Sequence, residues 1–318
     1  MLSAVFLDYG SVGAPDELDL SSLKTVLPLL HCYSHTQPSD LQARVADVEV
    51  LMVNSHPVSA ATMEQAPKLR CIATTSTGTN HIDIAHARSR GIAVINIVDY
   101  CTPSVAQHVF ATLLALTHHL IDYDRDLKKG VWQHDPFNVP DYPVRELSGL
   151  NFGIVGYGHL GQAVANLARA FGMNVLVANR PGGAREAGRM DLEQMLPLVD
   201  VLSLHCPLNE ATRHLIGTAQ LALMKPTAIL INTARGGLVD AQALAKALRA
   251  HRLGGAGIDV LAEEPPLKGN PLLAADLTRV IITPHTAWSA LQSRQRGLDQ
   301  LAAHLGVWAA GGRSGRVD

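Results

Sequence analysis

Short apolar runs alternate with helix-like stretches along nearly the whole chain. The helix-like stretches repeat apolar residues every three to four positions, as at 159–171 and 240–251, and they fit between the runs. Very apolar strands that alternate with helices indicate parallel sheets covered on both faces, so the pattern predicts an α/β fold with two such series. The predicted strands are 4–8, 48–53, 71–75, 93–97, 152–155, 174–178, 201–205, 228–232, 257–260 and 280–283.

A long helix separates the two series. Thr102 offers an N-cap hydroxyl and Pro103 suits the first helical position, so a helix is predicted over 103–120. Its buried face is predicted to carry Val105, Val109, Leu113 and Leu116. The following stretch, 122–148, is predicted to be irregular, and it is too long for an ordinary connection.

The second series ends near His285, and a last helix is predicted over 289–310. We expect this helix to pack back on the first domain. The predicted organisation is therefore one discontinuous domain made of residues 1–99 and 286–318, and a second domain made of residues 100–285.

Composition and charge exclude several classes of protein. Hydrophobic residues make up 47% of the 318 residues and the formal net charge is −2, so no global basic field exists to hold nucleic acid or an anionic membrane. The longest membrane-like run, 109–116, is far too short to span a bilayer. The N-terminus lacks a positively charged stretch and is interpreted as a strand, not as a signal peptide. A cytoplasmic protein is expected.

Four cysteines occur, and none forms a CxxC pair. We expect reduced, buried thiols, with neither disulfides nor a metal site. The four are Cys32, Cys71, Cys101 and Cys206.

A glycine motif follows the predicted strand 152–155 directly and opens the helix after it. Gly156 suits a tight turn, Gly158 lets a pyrophosphate approach the backbone, and Gly161 permits close helix–strand packing. The first N–H groups of the helix, near His159 and Leu160, would face the phosphates. In this context the motif predicts a dinucleotide site, although the same letters alone also occur in ordinary glycine-rich turns.

The end of the next strand normally selects between the two nicotinamide dinucleotides. An acid there accepts from the ribose 2′-hydroxyl of NAD, whereas this chain has Asn179 and Arg180. The acid that would repel a 2′-phosphate is missing and a guanidinium is present, so NADP is favoured over NAD. The alternative is that Asn179 serves the ribose and Arg180 only faces solvent.

Several polar residues follow apolar strands of the second series. They are Arg235, Asp259, Glu264 and His285. The carboxyl ends of strands are where open α/β sheets bind ligands. Reduction of a 2-oxo acid needs a cation to hold the carboxylate and polarise the ketone, which suits Arg235, and an acid to protonate the forming alkoxide, which suits His285. Glu264 would orient the imidazole and favour its charged form.

Taken together, these motifs resemble the D-isomer-specific 2-hydroxyacid dehydrogenase family over essentially the whole chain. The resemblance rests on STGTNHID (76–83), GYGHLGQ (156–162), LHCPLNEATRHLIG (204–217), MKPTAILINTARGGLVD (224–240), GIDVLAEEPP (257–266) and TPHTAW (283–288). It implies two Rossmann-like domains, a homodimer with contacts in 122–148, and a catalytic Arg235, Glu264 and His285.

The resemblance also implies a set of ligand contacts. Thr77 and Gly78 would offer backbone amides to the substrate carboxylate, and Asp259 would hold the nicotinamide carboxamide. The adenosine and nicotinamide-ribose walls would be formed by Cys206, Pro207, Thr233 and Ala234.

Within the family the chain is most similar to the glycerate dehydrogenase or hydroxypyruvate (glyoxylate) reductase branch, through residues 99–119 and 284–288. A small substrate such as hydroxypyruvate or glyoxylate is therefore expected. Glu264 stands where formate dehydrogenases have glutamine. Another 2-hydroxy acid such as 3-phosphoglycerate is an open alternative, as is a dinucleotide-sensing corepressor, which has the same fold and binds proteins.

Overall fold

The computed structural model describes residues 1–130 and 142–318 and divides into two compact units. Unit 1 comprises Met1–Cys101 and Trp288–Asp318, and unit 2 comprises Thr102–Ala287. The predicted boundaries, after residues 99 and 285, fall close to these divisions. Residues 131–141 of the segment that was predicted to be irregular lie outside the described residues.

Unit 1 contains a five-stranded, fully parallel sheet in the order β2-β1-β3-β4-β5. Its strands are β1 (Ser3–Phe6), β2 (Leu29–Cys32), β3 (Val50–Val53), β4 (Cys71–Thr74) and β5 (Ala93–Ile95). Its helices are α1 (Ser21–Val26), α2 (Pro38–Val45), α3 (Ala60–Glu64), α4 (Ile84–Ser89) and α11 (Leu291–Ala309).

Alternate residues of the unit 1 strands enter two different cores, as the two-residue period of a strand requires. On one face, Phe6 and Ile95 pack with α1 and α11. On the other face, Val5 and Val94 pack with residues of α2, α3 and α4. The predicted return of the last helix to the first domain is confirmed, because α11 supplies Leu298, Leu301 and Leu305 to the first core.

Unit 2 contains a six-stranded, fully parallel sheet in the order β11-β10-β9-β8-β6-β7. Its strands are β6 (Asn151–Val155), β7 (Asn174–Val177), β8 (Val201–Leu204), β9 (Ile229–Asn232), β10 (Gly255–Ile258) and β11 (Val280–Ile282). Its helices are α5 (Thr102–Thr117), α6 (Leu120–Lys128), α7 (His159–Ala170), α8 (Leu192–Met195), α9 (Thr218–Leu223) and α10 (Ala241–Arg249). The predicted pair of doubly wound parallel sheets is confirmed.

Helix α5 has the predicted buried face, since Val105, Val109, Leu113 and Leu116 are all buried. Phe110 on the same helix stacks on Phe152 of β6 at 5.8 Å between ring centroids. The helix ends at Thr117, because His119 adopts a positive φ of 53° before the next helix begins.

One expectation about local structure was wrong, and one strand was not predicted. Residues 120–128 form helix α6, where an irregular segment was predicted from 122 onwards. Strand β2 was missed because three of its four residues are exposed at the edge of the sheet, so it has no buried apolar run.

The four cysteines are free thiols. Cys71 and Cys206 are buried as expected, whereas Cys32 is exposed and Cys101 is half-buried. Within the described ranges, no helix is both long enough and apolar enough to cross a membrane.

Candidate active site

The strand order of the unit 2 sheet reverses between β6 and β8. Ligands of open α/β sheets bind outside the carboxyl ends of the strands at such a switch point. The glycine motif begins at Gly156, directly after β6, and His205 and Cys206 follow β8. The predicted cofactor loop therefore lies where this topology places a ligand.

Each glycine of the motif meets a different demand. Gly156 has a φ of +96°, and a Cβ on it would lie 2.5 Å from the backbone nitrogen of Cys206. A Cβ on Gly161 would overlap the carbonyl oxygen of Gly156, so this glycine lets α7 approach the turn. A Cβ on Gly158 would meet nothing within 4 Å. Gly158 is the N-cap residue of α7 and borders open space, and no side chain of the described residues covers the N-terminus of the helix at this position.

A dinucleotide fits this arrangement. His159 and Leu160 form the first turn of α7, whose N–H groups and dipole favour phosphate. Directly after β9, Thr233 Oγ1 is buried without a hydrogen-bond partner among the described residues. An unpaired buried hydroxyl is costly, and a bound polar group beside Thr233 and Ala234 would remove that cost.

The wall that follows β8 is apolar and neutral. Cys206 is 4% exposed, and burial raises the pKa of its thiol to about 11. Pro207 follows it and is exposed. A thiol with this pKa is protonated at neutral pH, so Cys206 offers packing to a ligand rather than charge or nucleophilicity.

The end of β7 carries more charge than the sequence indicated. The Asn179 side chain donates to Asp191 Oδ1 at 2.9 Å and accepts from the Glu186 N–H at 3.1 Å. An acid is therefore close to this position, although it comes from twelve residues further along the chain. Asp191 is itself paired with Arg185, and the hydrogen bond from Asn179 holds its pKa below the ordinary value despite some desolvation.

Arg180 differs from its neighbours in this loop. Arg185 pairs with Asp191 and Arg189 pairs with Glu186, whereas Arg180 is exposed and has no ion-pair partner in the described part of the chain. The sequence pattern drew attention to Asn179 and Arg180. Arg185, Arg189 and Asp191 were missed, because they reach this position only through the pairing of Met190 with Ala178.

Two loops of unit 2 are pressed together at Gly236. Arg235 follows β9, and its guanidinium donates to the Ala234 carbonyl at 2.7 Å. The backbone carbonyl of Arg235 accepts a hydrogen bond from Asn232 Nδ2 at 2.9 Å. A Cβ on Gly236 would overlap the backbone carbon of Leu261. The backbone after Arg235 therefore packs directly on the segment that leads to Glu264.

Glu264 and His285 form the predicted pair. Glu264 Oε2 lies 2.6 Å from His285 Nδ1, and Oε1 accepts the Leu261 N–H at 2.7 Å. Burial raises the pKa of Glu264, but the hydrogen bonds from His285 and Leu261 and the charges of His285 and Arg235 outweigh it and leave the pKa lowered. The carboxylate is thus ionised at neutral pH and fixes the ring through Nδ1, so that Nε2 is the atom that can transfer a proton.

Asp259 orders the loop that carries His285. Its carboxylate is 1% exposed and accepts from the Thr283 hydroxyl at 2.6 Å and from the N–H groups of Thr286 and Ala287, both at 2.9 Å. His285 has a positive φ of 55°, and its N–H donates to the Asp259 carbonyl at 2.7 Å. These contacts differ from the expected one to a nicotinamide carboxamide, which stays a prediction.

Helix α5 supports the same loop, which sequence reasoning missed. His108 Nε2 lies 3.0 Å from Thr283 Oγ1, and the Ser104 hydroxyl donates to the Ala287 carbonyl at 2.6 Å. A Cβ on Gly257 of β10 would overlap Thr112 Cγ2, so the same helix face approaches the sheet closely. The available signal was the polar series Ser104, His108 and Thr112, spaced by four on an apolar helix.

Thr77 and Gly78 lie in unit 1, just after β4. Their carbonyl groups are hydrogen-bonded to side chains of the same unit, since Asn96 Nδ2 donates to Thr77 at 2.9 Å and the Ser76 hydroxyl donates to Gly78 at 2.7 Å. In the described residues, neither backbone N–H has an acceptor. The loop can therefore donate to an anion, which is the role that the family resemblance implies and which stays a prediction.

A doubly wound sheet with an open glycine turn and a carboxylate-held histidine near an arginine is typical of dinucleotide-dependent dehydrogenases. A family model for "D-isomer specific 2-hydroxyacid dehydrogenase, NAD binding domain" matches residues 110–287. The chain is 42% identical over 275 residues to a glycerate dehydrogenase of Methylorubrum extorquens, which covers 86% of this chain and 87% of that protein. The chain therefore belongs to the D-isomer-specific 2-hydroxyacid dehydrogenases and is a nicotinamide-dependent oxidoreductase.

Two further similarities cover the chain nearly from end to end. It is 36% identical over 293 residues to a hydroxypyruvate reductase of Blautia hydrogenotrophica, with 90% of each chain covered. The solved structure of the TT0316 protein from Thermus thermophilus is 33% identical, with a TM-score of 0.86 and 100% of both chains covered. The fold of both units is thus that of known structures.

Proposed function

We propose that this enzyme reduces hydroxypyruvate to D-glycerate, or glyoxylate to glycolate, with His285 as the acid–base residue. The observation that carries the proposal is the 2.6 Å contact between His285 Nδ1 and an ionised Glu264. Such a pair stabilises an imidazolium, which can give up its Nε2 proton as the alkoxide forms.

Each of the three residues has one task in this scheme. The bound nicotinamide supplies the hydride to C2 of the substrate. Arg235 binds the substrate and polarises its ketone, His285 delivers the proton to the resulting oxygen, and Glu264 holds the imidazole in place through Nδ1. In the oxidative direction, neutral His285 takes the hydroxyl proton instead.

For unit 1 we propose that the Thr77 and Gly78 N–H groups bind the substrate carboxylate. The support is that both N–H groups lack an acceptor in the described residues while both carbonyl groups are fixed. Charge-assisted hydrogen bonds from backbone amides are short and strong, and they add no cation to the site.

The proposed substrate rests on the relatives as well as on the site. Similar proteins include the glycerate dehydrogenase and the hydroxypyruvate reductase, and glyoxylate reductases are similar as well. Hydroxypyruvate and glyoxylate share a 2-oxo acid carboxylate and lack a phosphate. A 3-phosphoglycerate dehydrogenase is also similar, so a phosphorylated 2-oxo acid is the comparison substrate for the test.

NADP is proposed as the preferred cofactor because Arg180 is an exposed guanidinium without an ion-pair partner in the described residues. A guanidinium can bind a 2′-phosphate through two parallel hydrogen bonds. Asp191 opposes this preference, since it holds Asn179, but its charge is offset by Arg185. We further propose a cytoplasmic homodimer, whose mass in solution should be twice the 34.0 kDa of one chain.

The first experiment measures the reduction of hydroxypyruvate, glyoxylate and 3-phosphohydroxypyruvate, the 2-oxo acid that corresponds to 3-phosphoglycerate, with NADPH and with NADH. Turnover of hydroxypyruvate or glyoxylate, with kcat/KM at least about tenfold above that for 3-phosphohydroxypyruvate, is the expected result. Cofactor binding without turnover of any 2-oxo acid would contradict the proposal and would favour a dinucleotide-sensing binding protein.

A matched pair of variants tests the cofactor choice. Arg180→Ser should raise the KM for NADPH by about tenfold, the factor given by roughly 1.4 kcal/mol, and leave the KM for NADH unchanged. Arg252→Ser removes an equally exposed guanidinium just before β10, at the amino edge of the sheet, and should change neither. Equal effects of Arg180→Ser on both cofactors would refute the assignment.

A further inference from the structure

The peptide between Thr77 and Gly78 is held in one orientation by a side chain. Asn96 Nδ2 donates to the Thr77 carbonyl at 2.9 Å. The C=O and N–H of a planar trans peptide point in opposite directions, so a bond to the Thr77 oxygen also fixes the direction of the Gly78 N–H. Asn96 thus fixes the direction of the Gly78 N–H, a proposed donor to the substrate, by binding the carbonyl on the opposite side of the same peptide.

Asn96 is 8% exposed and its own backbone is fixed at both polar atoms. Its N–H donates to the Gly315 carbonyl at 3.0 Å, and its carbonyl accepts from His304 Nδ1 at 3.1 Å. Asn96 follows β5, the edge strand of the unit 1 sheet. An edge strand has unpaired backbone groups, and here residues from the last part of the chain satisfy them.

Residues 315–318 lie along the edge of β5. Arg316 forms an antiparallel bridge with Ile95, the Val317 N–H donates to the Val94 carbonyl at 2.9 Å, and Asp318 Oδ1 accepts the Val94 N–H at 2.9 Å. Arg316 is also paired with Asp318. The segment is therefore tied to the strand that ends at Asn96.

Gly315 is the point at which this segment meets His304 of α11. It has a φ of +69°, and a Cβ on it would overlap His304 Nδ1. The same glycine accepts the Asn96 N–H through its carbonyl at 3.0 Å. A side chain at position 315 would therefore have to displace either the His304 ring or the backbone that contacts Asn96.

We infer that Asn96 is a positioning residue for substrate-carboxylate binding, and that residues 315–318 and His304 hold it in place. The inference rests on the proposed role of Thr77 and Gly78. Its physical content is preorganisation: a donor that is already aimed loses less freedom when the anion binds. Without Asn96 the peptide is free to turn, and the carbonyl oxygen of Thr77 can face the carboxylate.

The first test replaces Asn96 and separates binding from chemistry. Asn96→Ala and Asn96→Asp both remove the donor, and each should raise the KM for hydroxypyruvate at least about 3- to 10-fold, the range expected for one lost hydrogen bond. The kcat and the Kd for NADPH should stay within about twofold of the wild-type values. The Kd of oxalate, a carboxylate probe measured on the NADPH complex, should rise in parallel with KM.

The second test leaves Asn96 intact and disturbs only its support. Gly315→Ala places a methyl group against His304 and should reproduce the rise in KM and in the oxalate Kd. Gly311→Ala is the matched control, because Gly311 also has a positive φ, of +87°, but a Cβ there would meet nothing within 4 Å. It should share any cost of backbone strain without changing KM.

The outcomes separate this inference from the proposed function. A wild-type enzyme with no turnover of 2-oxo acids overturns the proposed function, and the oxalate Kd of the variants then still decides the role of Asn96. If the Asn96 variants fold with wild-type KM and oxalate Kd, the inference is wrong. If they do not fold, equal KM and oxalate Kd values for Gly315→Ala and Gly311→Ala overturn it.

Discussion

The chemistry proposed for unit 2 depends on a few side chains that are held by specific contacts. Glu264 is ionised because the His285 ring, the Leu261 N–H and Arg235 outweigh its desolvation. His285 is held by Glu264 through its ring and by Asp259 through its backbone N–H. The ring and the loop that carries it are therefore fixed independently, and each fixation can be removed separately.

Removal of the ring tests the acid–base assignment. His285→Ala should lower kcat for hydroxypyruvate reduction by about 10²- to 10⁴-fold, the usual contribution of a positioned general acid. The Kd for NADPH, measured by the fluorescence of the reduced nicotinamide, should be unchanged. Turnover close to that of the wild type would show that another group supplies the proton.

Removal of the charge on Glu264 tests its electrostatic role. Glu264→Gln keeps the shape and a hydrogen-bond acceptor but takes away the negative charge that strengthens the bond to His285 Nδ1. The kcat for hydroxypyruvate reduction should fall by about 10- to 100-fold, the range expected when a hydrogen bond to a charged group is lost, while the Kd for NADPH stays unchanged. Steady-state kinetics and NADPH titration measure the two values, and a kcat equal to that of the wild type excludes the role.

The candidate catalytic residues could be recognised from the sequence because each follows a strongly apolar strand. Arg235, Glu264 and His285 were singled out in this way, and the structure brings Glu264 and His285 into contact. The polar residues of α5 that support this pair are visible in the sequence by their spacing of four, but their partners are not. The contact of His108 with Thr283 joins residues 175 positions apart and depends on the angle at which α5 crosses the sheet, which no local pattern encodes.

At the scale of helices and strands, the glycine motif makes the clearest demand on geometry. Gly161 is needed for packing of α7 on the turn, whereas Gly158 borders open space. The two glycines should therefore fail in different ways when they are replaced by alanine.

Gly161→Ala should lower the free energy of unfolding by about 1–3 kcal/mol, because its methyl group meets the Gly156 carbonyl. Gly158→Ala should leave stability nearly unchanged and should weaken NADPH binding about tenfold, because its methyl group lies where phosphate is expected. Urea unfolding and NADPH titration of both variants measure the two effects. Equal loss of stability in both variants would show that a methyl group on Gly158 also meets neighbouring atoms.

Elements with a strong apolar period were predicted from the sequence, and those without one were not. Helix α5 was predicted because its buried residues recur at helical spacing. Helix α6 is short and mostly polar, and its aliphatic residues Leu120, Ile121 and Leu127 are exposed, so it lacks the core-facing apolar run on which the predictions relied. Strand β2 likewise lies at an edge with little burial, and it is defined by its pairing with β1 rather than by its own residues.

At the scale of the whole molecule, the burial of His205 predicts that stability depends on pH. Burial lowers the pKa of His205 from 6.5 to about 4, and its Nδ1 has no hydrogen-bond partner in the described residues. The unfolded chain takes up this proton near pH 6.5 and the folded chain only near pH 4. Stability should therefore fall as the pH drops through this window.

His205→Gln should remove this loss, which is on the order of 2–3 kcal/mol between about pH 7.5 and pH 4. The measurement is urea unfolding at several pH values across the window. His31→Gln, at an exposed position on β2, is the control and should keep the wild-type dependence. If the His205 variant loses stability as steeply as the wild type on acidification, other groups account for the dependence.

The discontinuity of unit 1 has a consequence for how the protein is made on the ribosome. Residues 102–287 are contiguous and are synthesised in full before α11 emerges. At roughly 5–20 residues per second, the sheet face that contains Phe6 and Ile95 waits roughly 10–40 s for the helix that covers it. During that interval the nascent chain presents an incomplete apolar face, and shielding by a chaperone would matter more for the first domain than for the contiguous second one.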